Sequence, residues 1–331
     1  MLSARDVKLP GSIADATGLK SKVRRMRLNR RHMGQVRLLG VIALSLLVMV
    51  ATAVPRSTSK GLAQRRPRSG ILTSHTRDRV STEASEMVEV ASETVCNERV
   101  RDPKGSVPID DMQARPSLPV DSPEAVAGAK RAQRLLPLAQ RLVVASLRQL
   151  SRDYNLNGTR GYDLKIQRAI ARVEVVRDVR PDVDSRDNAS VLMRNPRTII
   201  FGTIFLAGLP SDEGVISVLS HELVHIADGS QDNLKLLFRA VGNRASVLTG
   251  LKIRDQRAEE LTCDLLGTLA TRSYVAATPS YEALPQRISR SLEHNCVDTD
   301  EGDEDHLSPR DTIRAILFLR PALSRELVYG R

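Results

Sequence analysis

The sequence contains no tryptophan, and it has only four phenylalanines and five tyrosines among 331 residues. A hydrophobic content of 41% still allows a buried core, so that core must be mainly aliphatic. Cysteine is also scarce: Cys96, Cys263 and Cys296 are the only three. They lack CxxC spacing, which argues against a metal site built from thiolates. Three cysteines fit an exported protein with at most one disulfide, for which Cys96 and Cys296 are the preferred pair.

The sequence also lacks a basic excess outside its N-terminal region. The formal net charge is +11, but residues 1–70 alone contribute +13, because they contain 15 Lys or Arg and two acids. The rest of the chain therefore has a net charge of −2. A nucleic-acid-binding protein needs its cations on the folded body. The charge balance therefore predicts that nucleic acid is not a partner.

One uncharged run, "LLGVIALSLLVMVATAV" at residues 38–54, follows a dense basic leader at residues 1–37. Seventeen apolar residues behind such a leader are typical of a membrane-targeting segment. The small residues Ala51 and Ala53 would permit cleavage after Ala53, so a cleaved signal peptide and an uncleaved anchor both stay open. The charge bias predicts a cytoplasmic leader and an exported body, either periplasmic or otherwise extracytoplasmic.

The segment at residues 55–120 is rich in Ser, Thr, Arg, Pro and charged residues without a sustained apolar period. This composition predicts a flexible linker, in which a short amphipathic helix near residues 81–95 is possible. A folded domain is expected from residue 121 to residue 331. It begins with a helix that starts at Ser122-Pro123 and runs to about Tyr154.

The next elements predict a small sheet. A second helix is expected near residues 163–171, and residues 172–179, "RVEVVRDV", alternate like a strand. Two further β-rich runs, residues 191–193 and 198–205, are separated by the turn residues Asn195-Pro196. Together with the helices, these runs predict an α+β fold that is mainly helical with a small β-sheet.

The stretch "SHELVHIA", from Ser220 to Ala227, lies in a further predicted helix over about residues 212–228. Ser211 with two following acids is a helix start, and Gly229 is a stop. Because residues four apart project from one helical face, His221 and His225 can direct ring nitrogens at one metal ion. Glu222 would lie beside that ion, where it could take a proton from a bound water.

A catalytic zinc site needs a third protein ligand. The other histidines are at positions 32, 75, 294 and 306, and none follows His225 at the spacing of the metzincins, where Gly229 and Leu234 stand. The later segment "RAEELTCDLLGTLA" offers Glu260 as the ligand and Asp264, four residues on, as an acceptor for the far nitrogen of His221. Glu259 is a competing ligand, although it points about 100° away. Alternatively, both glutamates form a solvated face that pairs with Arg254 and Arg257.

"SHELVHIADG" followed by "ELTCD" resembles the gluzincin metallopeptidases that include HtpX and the CAAX prenyl endopeptidase. The resemblance covers roughly residues 120–330 and implies a zincin-like domain with one Zn²⁺. The implied ligands are His221, His225 and Glu260, with Glu222 as the base and Asp264 in support. Cys263 stands where alanine is usual in the family. With one candidate membrane segment, the chain looks like the exported, single-anchor members.

The same resemblance implies two further site elements. The run 197–205 would be an edge strand that pairs with an extended substrate, through Arg197, Ile199, Phe201 and Thr203. His306, with Arg314, would correspond to an element that faces the cleft, where His306 could stabilise an oxyanion. Alternatively, His306 is a surface histidine in front of a helix that starts at Ser308.

These patterns predict a zinc-dependent endopeptidase that cleaves peptide bonds through a metal-activated water. Its expected partners are protein or peptide substrates, namely unfolded or misassembled envelope proteins, and a membrane reached through the N-terminal segment. The alternative is a non-catalytic metal-binding module that holds clients or assists the assembly of envelope proteins.

Overall fold

The computed structural model describes residues 80–101, 116–186, 188–191, 196–209, 211–289 and 302–330. The chain divides into two units, Met1–Ser69 and Gly70–Arg331. The first unit, with the basic leader and the apolar run, lies outside the described residues. Among the residues that are described, none of the helices has the length and apolar character that a bilayer crossing requires. The expected Cys96–Cys296 pair also lies outside the described side chains, and Cys263 is a buried free thiol.

Three helices open the described chain: α1 (Thr82–Arg101), α2 (Pro123–Asp153) and α3 (Tyr162–Glu174). The predicted start of α2 is confirmed, since the Ser122 hydroxyl accepts a hydrogen bond from the backbone N–H of Ala125 and proline opens the helix. One face of α2 is buried along the whole helix. Because of this amphipathic pattern, α2 packs against later elements of the chain along its length.

Within the described residues, the sheet has three strands, β1 (Asp178–Asp182), β2 (Ala189–Val191) and β3 (Thr198–Gly202), in the order β1-β3-β2. The β1 and β3 strands are parallel, and β2 and β3 are antiparallel. The strand predicted at residues 172–179 was wrong for residues 172–177, because α3 continues to Glu174, Val175 forms its C-cap and β1 begins only at Asp178. The small sheet beside many helices confirms the α+β class.

The run expected to be a substrate-binding edge strand is instead the central strand. Residues 198–202 form β3, which pairs with β1 on one side and β2 on the other, so it has no free edge. Ile199 and Phe201 are fully buried. A continuous apolar run is what a strand covered on both faces requires, and the burial along β3 fits this, but covered faces do not determine whether a strand is central. Among the described strands, the edge near the "SHELVHIA" helix is β2.

The strand also ends earlier than expected, because residues Thr203–Gly208 form a short helix, α4. Thr203 and Phe205 are therefore buried helical residues and not strand residues. The change occurs at Gly202, where a Cβ atom would lie 1.8 Å from the carbonyl oxygen of Arg186. Only glycine allows this close backbone approach, which turns the chain off the sheet.

The remaining helices are α5 (Asp212–Asp228), α6 (Lys235–Thr249), α7 (Gln256–Ala277), α8 (Leu284–Ser289), α9 (Pro309–Leu319) and α10 (Pro321–Tyr329). The α5 helix lies at the centre, packed against α2, α3 and α7. At the α5–α7 crossing, a Cβ atom on Gly267 would lie 2.8 Å from the carbonyl oxygen of Ser217. Glycine therefore lets these two helices approach closely, and this approach brings their side chains together.

Part of the expected linker belongs to the folded body. The α1 helix lies within the range 55–120, yet Val88, Ala91 and Val95 are buried. It packs against α8, α9 and α10, and Glu89 forms an ion pair with Arg314 of α9. The helix allowed for near residues 81–95 is thus confirmed, but the domain begins before residue 121.

Candidate metal centre

The α5 helix has the predicted bounds and capping. The Ser211 hydroxyl accepts from the backbone N–H of Gly214, and Gly229 is the C-cap. Most α5 side chains are buried, but His221 and His225 are partly exposed on the face toward α7. The apolar surroundings fix the helix, so the two imidazoles project from a rigid element into a cleft.

An arginine from α3 holds the C-terminal end of α5. The Nε atom of Arg172 donates to the carbonyl oxygen of Ile226 at 2.5 Å. The Arg172 guanidinium occupies the space beside Gly229, where a Cβ atom would lie 2.5 Å from it, and Gly229 has a φ of 56°. A cation at a helix C-terminus satisfies free carbonyls and interacts favourably with the helix dipole. Arg172 and Gly229 therefore fix the helical turn that carries His225.

Three possible ligand atoms meet between α5 and α7. The Nε2 atoms of His221 and His225 lie 3.1 Å apart. One oxygen of Glu260, Oε2, lies 3.2 Å from Nε2 of His221 and 3.4 Å from Nε2 of His225. The structure thus brings together the three residues that the sequence predicted as ligands.

The other nitrogen of each ring faces its own carboxylate. Asp264 lies 2.8 Å from Nδ1 of His221, as expected, and Glu259 lies 3.0 Å from Nδ1 of His225. An ionised carboxylate only accepts hydrogen bonds, so both Nδ1 atoms must donate. Unless the rings are protonated, each Nε2 then carries a lone pair, and it faces the lone pairs of Glu260. A proton or a metal ion between these three acceptors would relieve their repulsion.

The contact made by Glu259 was missed from the sequence, which offered it only as a competing ligand or as a solvated residue. It is neither, because its carboxylate lies behind His225, as Asp264 lies behind His221. The position of Glu259 directly before Glu260 places it on the adjacent side of the same helix, but this position alone does not show that it faces His225.

The pKa values of these groups reflect the carboxylates and imidazoles that face one another in the cluster. Burial alone would lower the pKa of His221, but the carboxylates of Asp264 and Glu260 outweigh burial and hold it well above its usual range. The pKa of His225 is raised in the same way, against burial, by Cys263, Glu259 and Glu260. Burial would raise the pKa of Glu260, but the two imidazoles lower it. A proton therefore occupies the cluster readily, and a metal ion would replace it.

The spacing of the three atoms fits a metal ion. With bonds of about 2.0–2.1 Å, tetrahedral coordination separates neighbouring ligands by about 3.3–3.4 Å. The observed separations are 3.1, 3.2 and 3.4 Å. Two nitrogens and one oxygen would leave one tetrahedral position for a small ligand.

A second group in the same place could also hold a metal ion. His221, His225 and Cys263 offer ligand atoms within 4.8 Å of one another. However, the Cys263 sulfur lies 3.8 Å from Nδ1 of His225, the nitrogen that faces Glu259 and not Glu260. Burial raises the pKa of the Cys263 thiol, whereas metal binding requires the thiolate. The set with Glu260 therefore fits a metal ion better.

Glu222 is 6% exposed and lies in the same cleft. Burial raises the pKa of its carboxyl group, while the neighbouring imidazoles of His221 and His225 lower it in part. A raised pKa moves a carboxylate toward the range in which it can accept and return a proton near neutral pH. Glu222 thus lies where a base would be needed.

The cleft has a volume of about 330 Å³. Its lining comprises Asn188, Ala189, Ser190, Val191, His221, Glu222, His225, Asp228, Gly229, Glu259, Glu260 and His306. Strand β2 forms one side, and the side chain of His306 is 58% exposed at the rim, with Nε2 3.9 Å from Glu260. His306 also contacts Asp303. Arg314, expected to face the cleft, pairs with Glu89 instead.

Comparisons of this chain with protein-family models, with curated proteins and with solved structures give no match. The likeness to the gluzincins therefore depends on the motif residues alone.

Proposed function

We propose that this chain is a zinc-dependent endopeptidase of the HtpX and CAAX prenyl endopeptidase type. The observation that carries the proposal is the convergence of two imidazole nitrogens and one carboxylate oxygen at separations of 3.1–3.4 Å. This donor set, with one position left over, is typical of catalytic zinc in metallopeptidases. When bound, zinc would activate a water and polarise the scissile carbonyl.

The proposed roles of the protein side chains follow from their positions. Glu222 takes a proton from the attacking water and passes it to the leaving amine. Asp264 and Glu259 hold the imidazoles in the tautomer that leaves Nε2 free. His306, at the rim, is placed to donate to the oxygen that becomes negative during attack.

Strand β2 is the proposed substrate-binding edge. Asn188 accepts from the backbone N–H of Gly202, so its main chain faces β3. In an antiparallel pair the facing alternates along the strand, and therefore the Ala189 carbonyl and the Val191 N–H point to the open side. An extended peptide could add to this edge by main-chain hydrogen bonds, which are indifferent to its sequence. Such indifference suits unfolded or misassembled envelope proteins as substrates.

The decisive test is the Glu222→Gln variant of the full chain, assayed on an unfolded protein substrate. We expect cleavage to fall by at least about 10²-fold, since the amide cannot accept the proton, while zinc stays bound. If zinc and substrate binding persist and the native chain also does not cleave, the chain is instead a module that holds its clients. Unchanged cleavage in the variant would contradict the proposed role of Glu222.

The ligand set is tested by metal analysis of two variants. Glu260→Ala should lose stoichiometric zinc, while Cys263→Ala should keep it, because Cys263 lies at the wrong side of His225. The opposite result would replace Glu260 with Cys263 as the third ligand.

A further inference from the structure

A second feature lies on the exposed side of α2. Its cations Lys130, Arg134, Arg141, Arg148 and Arg152 are all exposed. At 100° per residue these five positions lie within about 40° of one another around the helix, and they span about 33 Å along it. We call this row the α2 basic stripe.

The stripe is almost free of compensating acids. The α2 helix has acids only in its end turns, Glu124 and Asp153. Arg134 reaches Asp212 at 3.3 Å, but its side chain is 67% exposed. Within the described parts of the chain, none of the other four stripe cations forms an ion pair. An ordinary solvated helix alternates charge signs, so this uniform row is unusual for a body whose net charge is close to zero.

The stripe lies opposite the buried side of α2. Buried residues such as Ala139, Val143 and Leu150 face the core, about 180° around the helix from Lys130 and Arg148. None of the residues that line the metal cleft belongs to α2. A surface bound to the stripe would therefore leave the cleft accessible.

The middle of the stripe is concave. Arg141 and Arg148 line a cavity of about 410 Å³ between α2 and the end of α3. The other lining residues are Pro137, Gln140, Val144, Ala145 and Glu174. Two guanidinium groups beside aliphatic side chains match a phosphate group that is attached to a hydrocarbon. Among the described residues that line this cavity, Glu174 is the one acid.

We propose that the α2 basic stripe docks the folded body on the anionic headgroups of a lipid bilayer. Each cation near such a surface adds an attraction that acts within about one Debye length, so a straight row of five acts together on a flat membrane. The predicted membrane segment at residues 38–54 would keep the body within reach of that surface. RNA fits less well, because the stripe has no aromatic residue on which bases could stack.

The test uses the full chain in lipid nanodiscs, with a fluorescent non-natural amino acid in place of the exposed Gln149, which does not line the cavity, and an acceptor on lipid headgroups. Energy transfer should be higher in discs with about 30% phosphatidylglycerol than in phosphatidylcholine discs. It should return to the neutral-disc value in about 0.5 M NaCl. Arg141→Glu with Arg148→Glu should lower the docked population by at least about tenfold.

The matched control is Arg239→Glu with Arg325→Glu, which makes the same charge change at exposed sites on α6 and α10. The control should keep high transfer in anionic discs. Equal transfer in neutral and anionic discs would overturn the proposal. So would an equal loss in both double variants, or binding to RNA without any preference for anionic discs.

Discussion

Each imidazole of the candidate centre has a carboxylate behind it, and these carboxylates decide which ring nitrogen is free. The contacts of Asp264 with His221 and of Glu259 with His225 are nearly equal in length, at 2.8 and 3.0 Å. Hydrogen bonds of this kind orient a ligand ring and raise its basicity. Glu259 should therefore affect metal binding about as much as Asp264 does.

We expect Glu259→Ala to weaken zinc binding by about 10–100-fold, because His225 loses the acceptor that fixes its orientation. Glu259→Gln should lose less zinc affinity than Glu259→Ala, since its amide oxygen can still accept a hydrogen bond from Nδ1 of His225. Competition with a coloured chelator measures both affinities. Glu304→Ala, at an exposed residue in the loop before α9, should bind zinc like the native chain. If Glu259→Ala weakens zinc binding no more than Glu304→Ala does, Glu259 has no role in metal binding.

Asp228, the last residue of α5, is a buried acid at the edge of the metal cleft. It is 8% exposed, and Oδ1 accepts from the backbone N–H of Leu234 at 2.6 Å. Burial raises the pKa of its carboxyl group from 3.8 to about 6, with a smaller contribution from the charge of Glu259. The folded protein therefore binds a proton more tightly than the unfolded chain does, so this group costs stability as pH rises from about 4 to about 6.

Asp228→Asn keeps the acceptor for Leu234 and removes the charge. We expect the variant to be more stable at pH 7.5 by about 1–2 kcal/mol after allowance for solvent screening, or a few degrees in Tm. The advantage should shrink as pH falls below 6 and vanish near pH 4, where both proteins are neutral at this position. Thermal unfolding in the presence of a chelator measures it. An advantage that does not change with pH would point to a cause other than the buried charge.

At the scale of elements, the sequence predicted helices better than strands. Both ends of α5 and the start of α2 have local causes, namely serine caps, proline at the first position and glycine at the end. The order β1-β3-β2 has no local cause, because strands pair with segments that are separated from them in the sequence. For this reason β3 was mistaken for an edge, and the strand predicted near residues 191–193 was not identified as the edge strand β2 that lines the cleft.

For the candidate site, too, the sequence predicted contacts within one helix better than contacts between helices. Helical spacing within one element placed His221 with His225 and Glu260 with Asp264, and the structure brings these four together. The contact between Glu259 and His225 depends on the relative rotation of α5 and α7, which no periodicity gives. The distance between these helices is set where Gly267 meets Ser217.

We expect Gly267→Ala to destabilise the fold by about 1–2 kcal/mol, although alanine favours helix by about 1 kcal/mol. The added methyl would lie 2.8 Å from a backbone oxygen that cannot turn away, so α7 must shift from α5. Such a shift also moves Glu260 away from the imidazoles. Thermal unfolding should show a lower Tm and titration a weaker zinc affinity. Ser273→Ala, at an exposed position on α7, should change neither. A more stable variant with native zinc binding would mean that the crossing tolerates a methyl.

At the scale of the whole molecule, the extent of the folded body was the poorest prediction. Among the described side chains of α1, four acids occupy partly or fully exposed positions, Glu83, Glu86, Glu89 and Glu93, and this composition resembles a linker. Its buried positions are few and small, so its hydrophobic periodicity is weak. The contacts that order it come from α8, α9 and α10, about 200 residues later in the chain.

The fragment 80–331 should therefore fold, whereas the fragment 121–331 should be marginal. Without α1, the side chains that cover Val88, Ala91 and Val95 would meet water, and Arg314 would lose Glu89. Burying two valines and an alanine contributes about 4–6 kcal/mol, a large share of the 5–15 kcal/mol that stabilises a typical domain. Urea unfolding of both fragments measures the difference. Within 80–331, Val88→Asp should lower the midpoint strongly and Glu86→Ala should not. Equal midpoints for the two fragments would mean that α1 does not stabilise the fold. The domain would then begin at residue 121, and α1 would be part of the linker.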